Sequence, residues 1–336
     1  MSASSRPRRP TVEDVAAVAG VSRGTVSRVL NGGHYVSPDA AAAVQRAIRK
    51  TGYVVNQHAR SLVTQRSDSV AFILSEPQER LFEDPNFNVL LRSCTQELAE
   101  RDITLLLTIA GTQADRQRVG RWVTAGHVDG VLLVSEHAGS PLIDELRSRG
   151  LPIVACGRPI GHEREISYVA ADDRDGARQM VSYLRSRGRR TIGIITGPLD
   201  TPGGVDRLAG YRDVIGEPDP RLVGTGDYSQ ASGEAAMDDL LRRAPDLDAV
   251  FVCSDLMALG AVSALHHAGK RIPDDVAVGG FDDSKAALTS TPSLTTIRQD
   301  FTRVSAEMVR LLLATIGTEN RSAVTLPTDL IIRNST

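Results

Sequence analysis

The sequence predicts a small all-α head followed by a larger α/β body built from two doubly wound parallel sheets. Three observations carry that expectation. Apolar residues recur at helical spacing up to residue 52, whereas from residue 70 onward short apolar runs alternate with amphipathic stretches. Charge divides at the same place: residues 1–66 hold ten Lys and Arg against three acids, and the remainder holds twenty-nine against thirty-eight. A length of 336 residues exceeds one small core, so two or three are expected.

The chain opens with the basic stretch MSASSRPRRP, expected as a disordered tail over residues 1–10. In TVEDVAAVAGVSRGTVSRVLN (11–31), Thr11 and Asp14 make a capping-box pattern, and Val12, Val15, Ala16 and Ala19 fall on one helical face. Gly20 breaks that helix and permits a left-handed turn, and Ser22 is placed to cap a second helix over 23–30. Ser37-Pro38 starts a third, with Pro at a position where its missing N–H is harmless. That helix turns Ala41, Val44, Ala47 and Ile48 inward and stops at Gly52. Two short helices around a tight turn, the second carrying Ser, Thr and Arg, have the form that enters the major groove of DNA. A helical hairpin that only packs is the competing reading. A basic head on an acidic body suits nucleic-acid contact by the head alone. The following NQHARSL (56–62) is too short to be a stable helix by itself, and Thr64–Ser69 reads as a linker.

In the body, strands are expected at Val70–Leu74, Thr104–Thr108, Gly130–Val134, Pro152–Ala155, Thr191–Thr196, Ala249–Cys253 and Val276–Gly280. Helical stretches such as Val89–Arg101, Asp173–Arg187 and Ser232–Arg243 separate them. The pattern divides into two halves near residue 168, and ligands of such folds bind beyond the carboxyl ends of the strands. Cys94, Cys156 and Cys253 stand alone, with no metal-ligand spacing, and read as small buried hydrophobes in a reducing compartment. No apolar stretch follows the basic N-terminus and none is long enough to span a bilayer, so a cytoplasmic protein without membrane contact is expected. GxGxxG, Walker, HExxH and GxSxG motifs are missing, and helix capping or hydroxyl binding accounts for Asp172/Asp173 and Asp282/Asp283. No enzyme, cofactor or metal site is expected.

Six fragments in order, TVEDVAAVAGVSRGTVSRVLN, NQHARSL, DRLAGY (206–211), SDLMALGA (254–261), GGFDDS (279–284) and LTTIRQDF (294–301), resemble the lactose/galactose-repressor (LacI/GalR) family of bacterial transcription regulators almost end to end. The resemblance implies an N-terminal all-α helix-turn-helix DNA-binding domain (11–55) and a hinge helix with linker (56–67). It further implies an α/β periplasmic-binding-protein-like core over 68–336, crossed three times, near residues 168, 298 and 324. The N-subdomain would then comprise about 68–168 and 299–323, and the C-subdomain about 169–297 and 324–336.

On the same resemblance, Arg28 and Arg23 read base edges, where a guanidinium fork can take both acceptors of guanine. Gly24 occupies a specificity position without a side chain. Thr25, Ser27, Asn31 and Tyr35 suit phosphate contacts, which fix register without reading sequence. Asn56, Ala59 and Leu62 match the hinge, whose leucine wedges into the minor groove of the operator; a domain-boundary core residue is the alternative for Leu62. For a sugar effector, Arg207 and Asp282 match the arginine and acid that hold hydroxyls, and Phe87, Tyr228 and Phe301 are candidate ring-stacking faces. For Phe301 packing is an equal reading. Ser254 replaces an asparagine common in relatives, leaving Asp255 to cap a helix or bind ligand. Arg158 is expected to meet an anionic or hydroxyl-rich ligand or else a surface ion pair, and His137 stands equally open. The expected whole is a homodimeric repressor on a pseudo-palindromic double-stranded operator, controlled by a small sugar-like effector. A corepressor type answering a purine or similar metabolite is the main alternative, and a solute-binding transport component a distant one. With no leucine heptad near Arg333–Thr336, a tetramer through a tail coil is not expected.

Overall fold

A computed structural model describes residues 8, 10–30, 36–53, 66–318 and 320–336. Asn31, Tyr35, Asn56, Ala59, Leu62 and most of the expected tail and hinge lie outside the described residues. The chain divides into two compact units, Met1–Ser67 and Asp68–Thr336.

The first unit contains α1 (Val12–Ala19), α2 (Arg23–Leu30) and α3 (Pro38–Thr51). Thr11 and Asp14 close the capping box, and Gly20 ends α1 at φ 69°, in the left-handed region that glycine tolerates best. Ser22 Oγ accepts from Thr25 N at 3.1 Å, Ser37 Oγ from Ala40 N at 3.3 Å, and Gly52 closes α3 at φ 68°. Val15, Ala16, Val26, Val44, Ala47 and Tyr53 form one small core. Three short helices with a core this size hold together by shared burial rather than by helix propensity.

In the second unit the alternating grammar becomes two six-stranded sheets. The first contains β1 (Ser69–Leu74), β2 (Thr104–Ile109), β3 (Gly130–Val134), β4 (Ile153–Cys156), β5 (Ser167–Ala171) and β11 (Ala323–Leu326), in the order β11-β5-β4-β3-β1-β2. The second contains β6 (Ile192–Thr196), β7 (Val223–Thr225), β8 (Ala249–Val252), β9 (Ala277–Asp282), β10 (Thr295–Arg298) and β12 (Asp329–Ile331), in the order β12-β10-β9-β8-β6-β7. Pairing is parallel throughout except for β12, which lies antiparallel on β10. On the first sheet pack α4 (Gln78–Glu83), α5 (Pro85–Ala99), α6 (Gln113–Trp122), α7 (Leu142–Ser148) and, late in the chain, α13 (Phe301–Thr315). The second sheet carries α8 (Asp173–Ser186), α9 (Pro202–Ile215), α10 (Gln230–Arg243), α11 (Asp255–His267) and α12 (Lys285–Thr289).

All seven expected strands are present within two residues. The second crossing follows Arg298 as expected, and the other two sit a few residues later. Strand β5 pairs with β4 and β11, so the first crossing follows Ala171 rather than 168. Strand β11 also belongs to the first sheet, which moves the third crossing from 324 to the stretch between Leu326 and Asp329. Cys94 and Cys253 are buried, and burial pushes their thiols up to about 11 and about 12, as suits inert core residues.

Candidate functional site

In the first unit, α2 buries Val26 and turns Arg23, Gly24, Ser27 and Arg28 to solvent, with Thr25 half-buried. Arg23 pairs with Glu13 at 3.3 Å on an exposed face, and Arg28 Nε donates to Gly24 O at 3.2 Å. Thr25 Oγ1 lies 2.9 Å from Ser22 Oγ at the start of the helix. A Cβ at Gly24 would meet nothing nearer than Ser22 Oγ at 3.7 Å, so the glycine is not imposed by packing.

In the second unit, a cavity of about 150 Å³ lies where the carboxyl ends of the two sheets face each other. The second sheet supplies a buried charged group. Arg207, on α9, donates from Nε to Asp173 Oδ1 at 2.8 Å and from Nη1 to the Cys253 carbonyl at 2.6 Å. Its Nη1 stands 3.6 Å from Asp282 Oδ1, and its guanidinium lies 3.8 Å over the Phe281 ring. Burial works against the Arg207 charge, but Asp173 and Asp282 overcome it and raise its pKa above the ordinary value. Burial raises both carboxyls, against the pull of Arg207. One cation between two buried acids leaves acceptor capacity over, which is what a ring of hydroxyls needs.

Asn86, from the first sheet's side, and Gln299, at the end of β10, reach the same acid. Asn86 Nδ2 donates to Asp282 Oδ2 at 3.1 Å, and Gln299 Nε2 donates to Asp282 Oδ1 at 2.7 Å. Arg80 Nη1 donates to the Tyr228 carbonyl at 3.1 Å. Tyr228 (φ 68°) and Asp282 (φ 111°) hold left-handed backbone, a strained setting that concentrates at functional positions.

Of the eight sequence candidates for the effector, Phe87, Arg207, Tyr228, Asp282 and Phe301 line this cavity and three do not. Arg158 makes the ion-pair alternative, with Asp206 (2.7 Å) and Glu163 (2.9 Å), and does not line the cavity. Asp255 is fully buried and accepts from Thr296 Oγ1 at 2.6 Å and Ser284 N at 2.8 Å. The helix cap falls instead to Ser254, whose Oγ accepts from Met257 N at 3.2 Å while the residue also faces the cavity. His137 lies beside the cavity, bridging Glu76 (3.4 Å) and Asp200 (3.0 Å), and the hydrogen bond to Glu76 foremost raises its pKa to about 9. Sequence reasoning did not single out Asn86, which adjoins Phe87, or Gln299, which lies within LTTIRQDF, and it left Asp173 between capping and hydroxyl binding.

Residues 11–56 match the model of bacterial regulatory proteins of the lacI family, and residues 181–336 match a periplasmic binding protein-like domain. The HTH-type transcriptional regulator CelR of Thermobifida fusca is 45% identical over 98% of this chain and 99% of its own length. The ribose operon repressor of Halalkalibacterium halodurans is 31% identical over 97% of each. Among solved structures, a CelR–cellobiose complex superposes with a TM-score of 0.79 at 43% identity, covering 98% of this chain and 100% of that one. A lac repressor dimer bound to operator and an anti-inducer superposes at 0.84 with 24% identity over 98% of this chain and 99% of that one, a likeness of fold.

Proposed function

Because the chain belongs to the lacI family of bacterial regulatory proteins, we propose that it is a homodimeric transcriptional repressor that releases its operator when a neutral β-linked glucose disaccharide of the cellobiose type fills the cavity. Such a regulator works in the cytoplasm, where the DNA is. Arg23, Thr25, Ser27 and Arg28 project from the helix that enters the major groove, the arginines towards base edges and the hydroxyls towards phosphates. Two copies related by a two-fold axis would meet a pseudo-palindromic site.

The observation that carries the effector reading is the buried Asp173–Arg207–Asp282 group, reached across the cavity by Asn86 and flanked at the end of β10 by Gln299. Carboxylates and a guanidinium at this spacing can engage neighbouring hydroxyls, while Phe87, Tyr228 and Phe301 offer faces to the C–H side of the rings. The relative that shares 43% identity over nearly the whole fold was solved with cellobiose. An inducer must bind the DNA-free form about 10–100 times better than the DNA-bound form, a coupling of roughly 1–3 kcal/mol.

A thermal-shift screen of sugars, sugar phosphates and purines tests this reading. Cellobiose at about 100 times its Kd should stabilise the protein by roughly 2.7 kcal/mol. Arg207→Ala should abolish that shift, and the same sugar should free the wild-type protein from duplexes selected for binding. Stabilisation by purines alone would replace the inducer with a corepressor.

A further inference from the structure

The first sheet contributes an acidic wall that the effector reading leaves unassigned, and the inference drawn from it rests on that reading. In the order β11-β5-β4-β3-β1-β2 the chain leaves β1 and β3 towards opposite neighbours, which opens a crevice at their carboxyl ends. The loops there supply Glu76 after β1, and Ser135 and Glu136 after β3, all lining the cavity. Ser135 holds φ 58°, a left-handed conformation that is costly for serine and that turns the loop.

The hydrogen bonds within this wall are unevenly shared. Ser135 Oγ donates to Glu76 Oε1 at 2.6 Å, and His137 Nε2 lies 3.4 Å from the same oxygen. Ser75 Oγ donates to Glu136 Oε2. Glu136 Oε1 is buried and has no hydrogen-bond partner among the described residues. The neighbouring cations are committed elsewhere: Arg207 to Asp173, Arg80 to Asp84 at 3.5 Å, and His137 to Glu76 and Asp200. A buried carboxylate oxygen without a donor is costly, so a donor arriving with the ligand gains more here than at a satisfied group. Five carboxyls line the cavity (Glu76, Asp84, Glu136, Asp173, Asp282) against two guanidinium groups (Arg80, Arg207), which disfavours any further negative charge.

We propose that Glu136 sets the chemical class of the effector: its Oε1 accepts a hydroxyl of a neutral saccharide, and its carboxylate turns away sugars bearing phosphate or carboxylate groups.

Calorimetric titration of the full chain with cellobiose, cellobiose 6-phosphate and cellobionate tests it. The wild type should bind cellobiose at least about tenfold tighter than either anion, and Glu136→Gln should reduce that preference by about tenfold. Glu136→Asp keeps the charge but shortens the reach, and should weaken cellobiose by about tenfold while still refusing the anions. Ligand-free melting midpoints confirm that each variant folds. A preference within about twofold of wild type in Glu136→Gln overturns the proposal. Undiminished cellobiose affinity in Glu136→Asp also overturns it, even where the Gln variant fails to fold. A wild type that binds no saccharide overturns the effector reading itself, whereas wild-type binding with indifferent variants overturns the Glu136 assignment alone.

Discussion

Asp255 carries its carboxylate into a fully buried site, where a hydroxyl and a backbone N–H donate to it and burial raises its pKa to about 7. The unfolded chain ionises this group near the ordinary value of 3.8, so between about 4 and 7 the folded state holds the extra proton. Stability contributed by that group therefore falls as pH rises through this window. Asp255→Asn should remove the fall: the melting midpoint of the variant relative to wild type should climb from pH 4 to pH 7, and a constant difference would contradict the assignment. The sequence made Asp255 a cap or a ligand; the cap falls to Ser254, and Asp255 is buried away from the lining of the cavity. Neighbouring Ser254 has the side-chain length to cap α11, which leaves the first-turn carboxylate to reach Thr296, forty-one residues away. Spacing along one helix carries no information about such a partner. The partner of Arg158 was hidden for the same reason, since Asp206 lies in a different half of the body.

Helix α9 holds Arg207 in place through its packing on α8. A Cβ at Gly210 would stand 2.2 Å from the Arg174 carbonyl and 2.8 Å from the Ala177 side chain, so the two helix backbones touch there. Gly210→Ala should push α9 outward, destabilise the protein by roughly 1–3 kcal/mol, and weaken effector binding because Arg207 sits one turn away. Chemical denaturation and titration calorimetry read the two losses separately. At this scale the sequence was legible where burial is apolar: α8 and α10 and the seven expected strands lie within two residues of their expected ends. It was silent at β10, whose buried Thr295 and Thr296 look solvent-loving until their partners Thr336 and Asp255 are known. Strands β7 and β12 are three residues each, too short for alternation to register.

Across the whole body, the two halves meet through Asn86 with Asp282, Arg80 with the Tyr228 carbonyl, and His137 with Asp200. The last contact is backed by Ala138 N donating to Asp200 O at 2.8 Å. The hydrogen bond to Glu76 foremost pushes His137 up to about 9 from 6.5, so its stabilisation of the contact between the halves is complete below about 6.5 and is lost as pH rises through 9. Effector affinity should drop a few-fold between pH 7 and about 9.5, the range of a half-exposed ion pair, and His137→Gln should flatten that dependence. An unaltered slope in the variant would rule out that His137 couples the contact between the halves to effector binding. The order of fragments along the chain disclosed both halves, but not which side chains span them, because those pairs are sixty to two hundred residues apart.

The backbone passes between the halves three times, after Ala171, after Arg298 and between Leu326 and Asp329. Three passages turn the junction from a pin into a redundant bearing. A break in any one of them leaves the halves tethered twice, and swivelling about a single strand is denied. What remains is one shared bending coordinate, so a handful of hydroxyl contacts in the crevice can be felt as a change of attitude by the entire body.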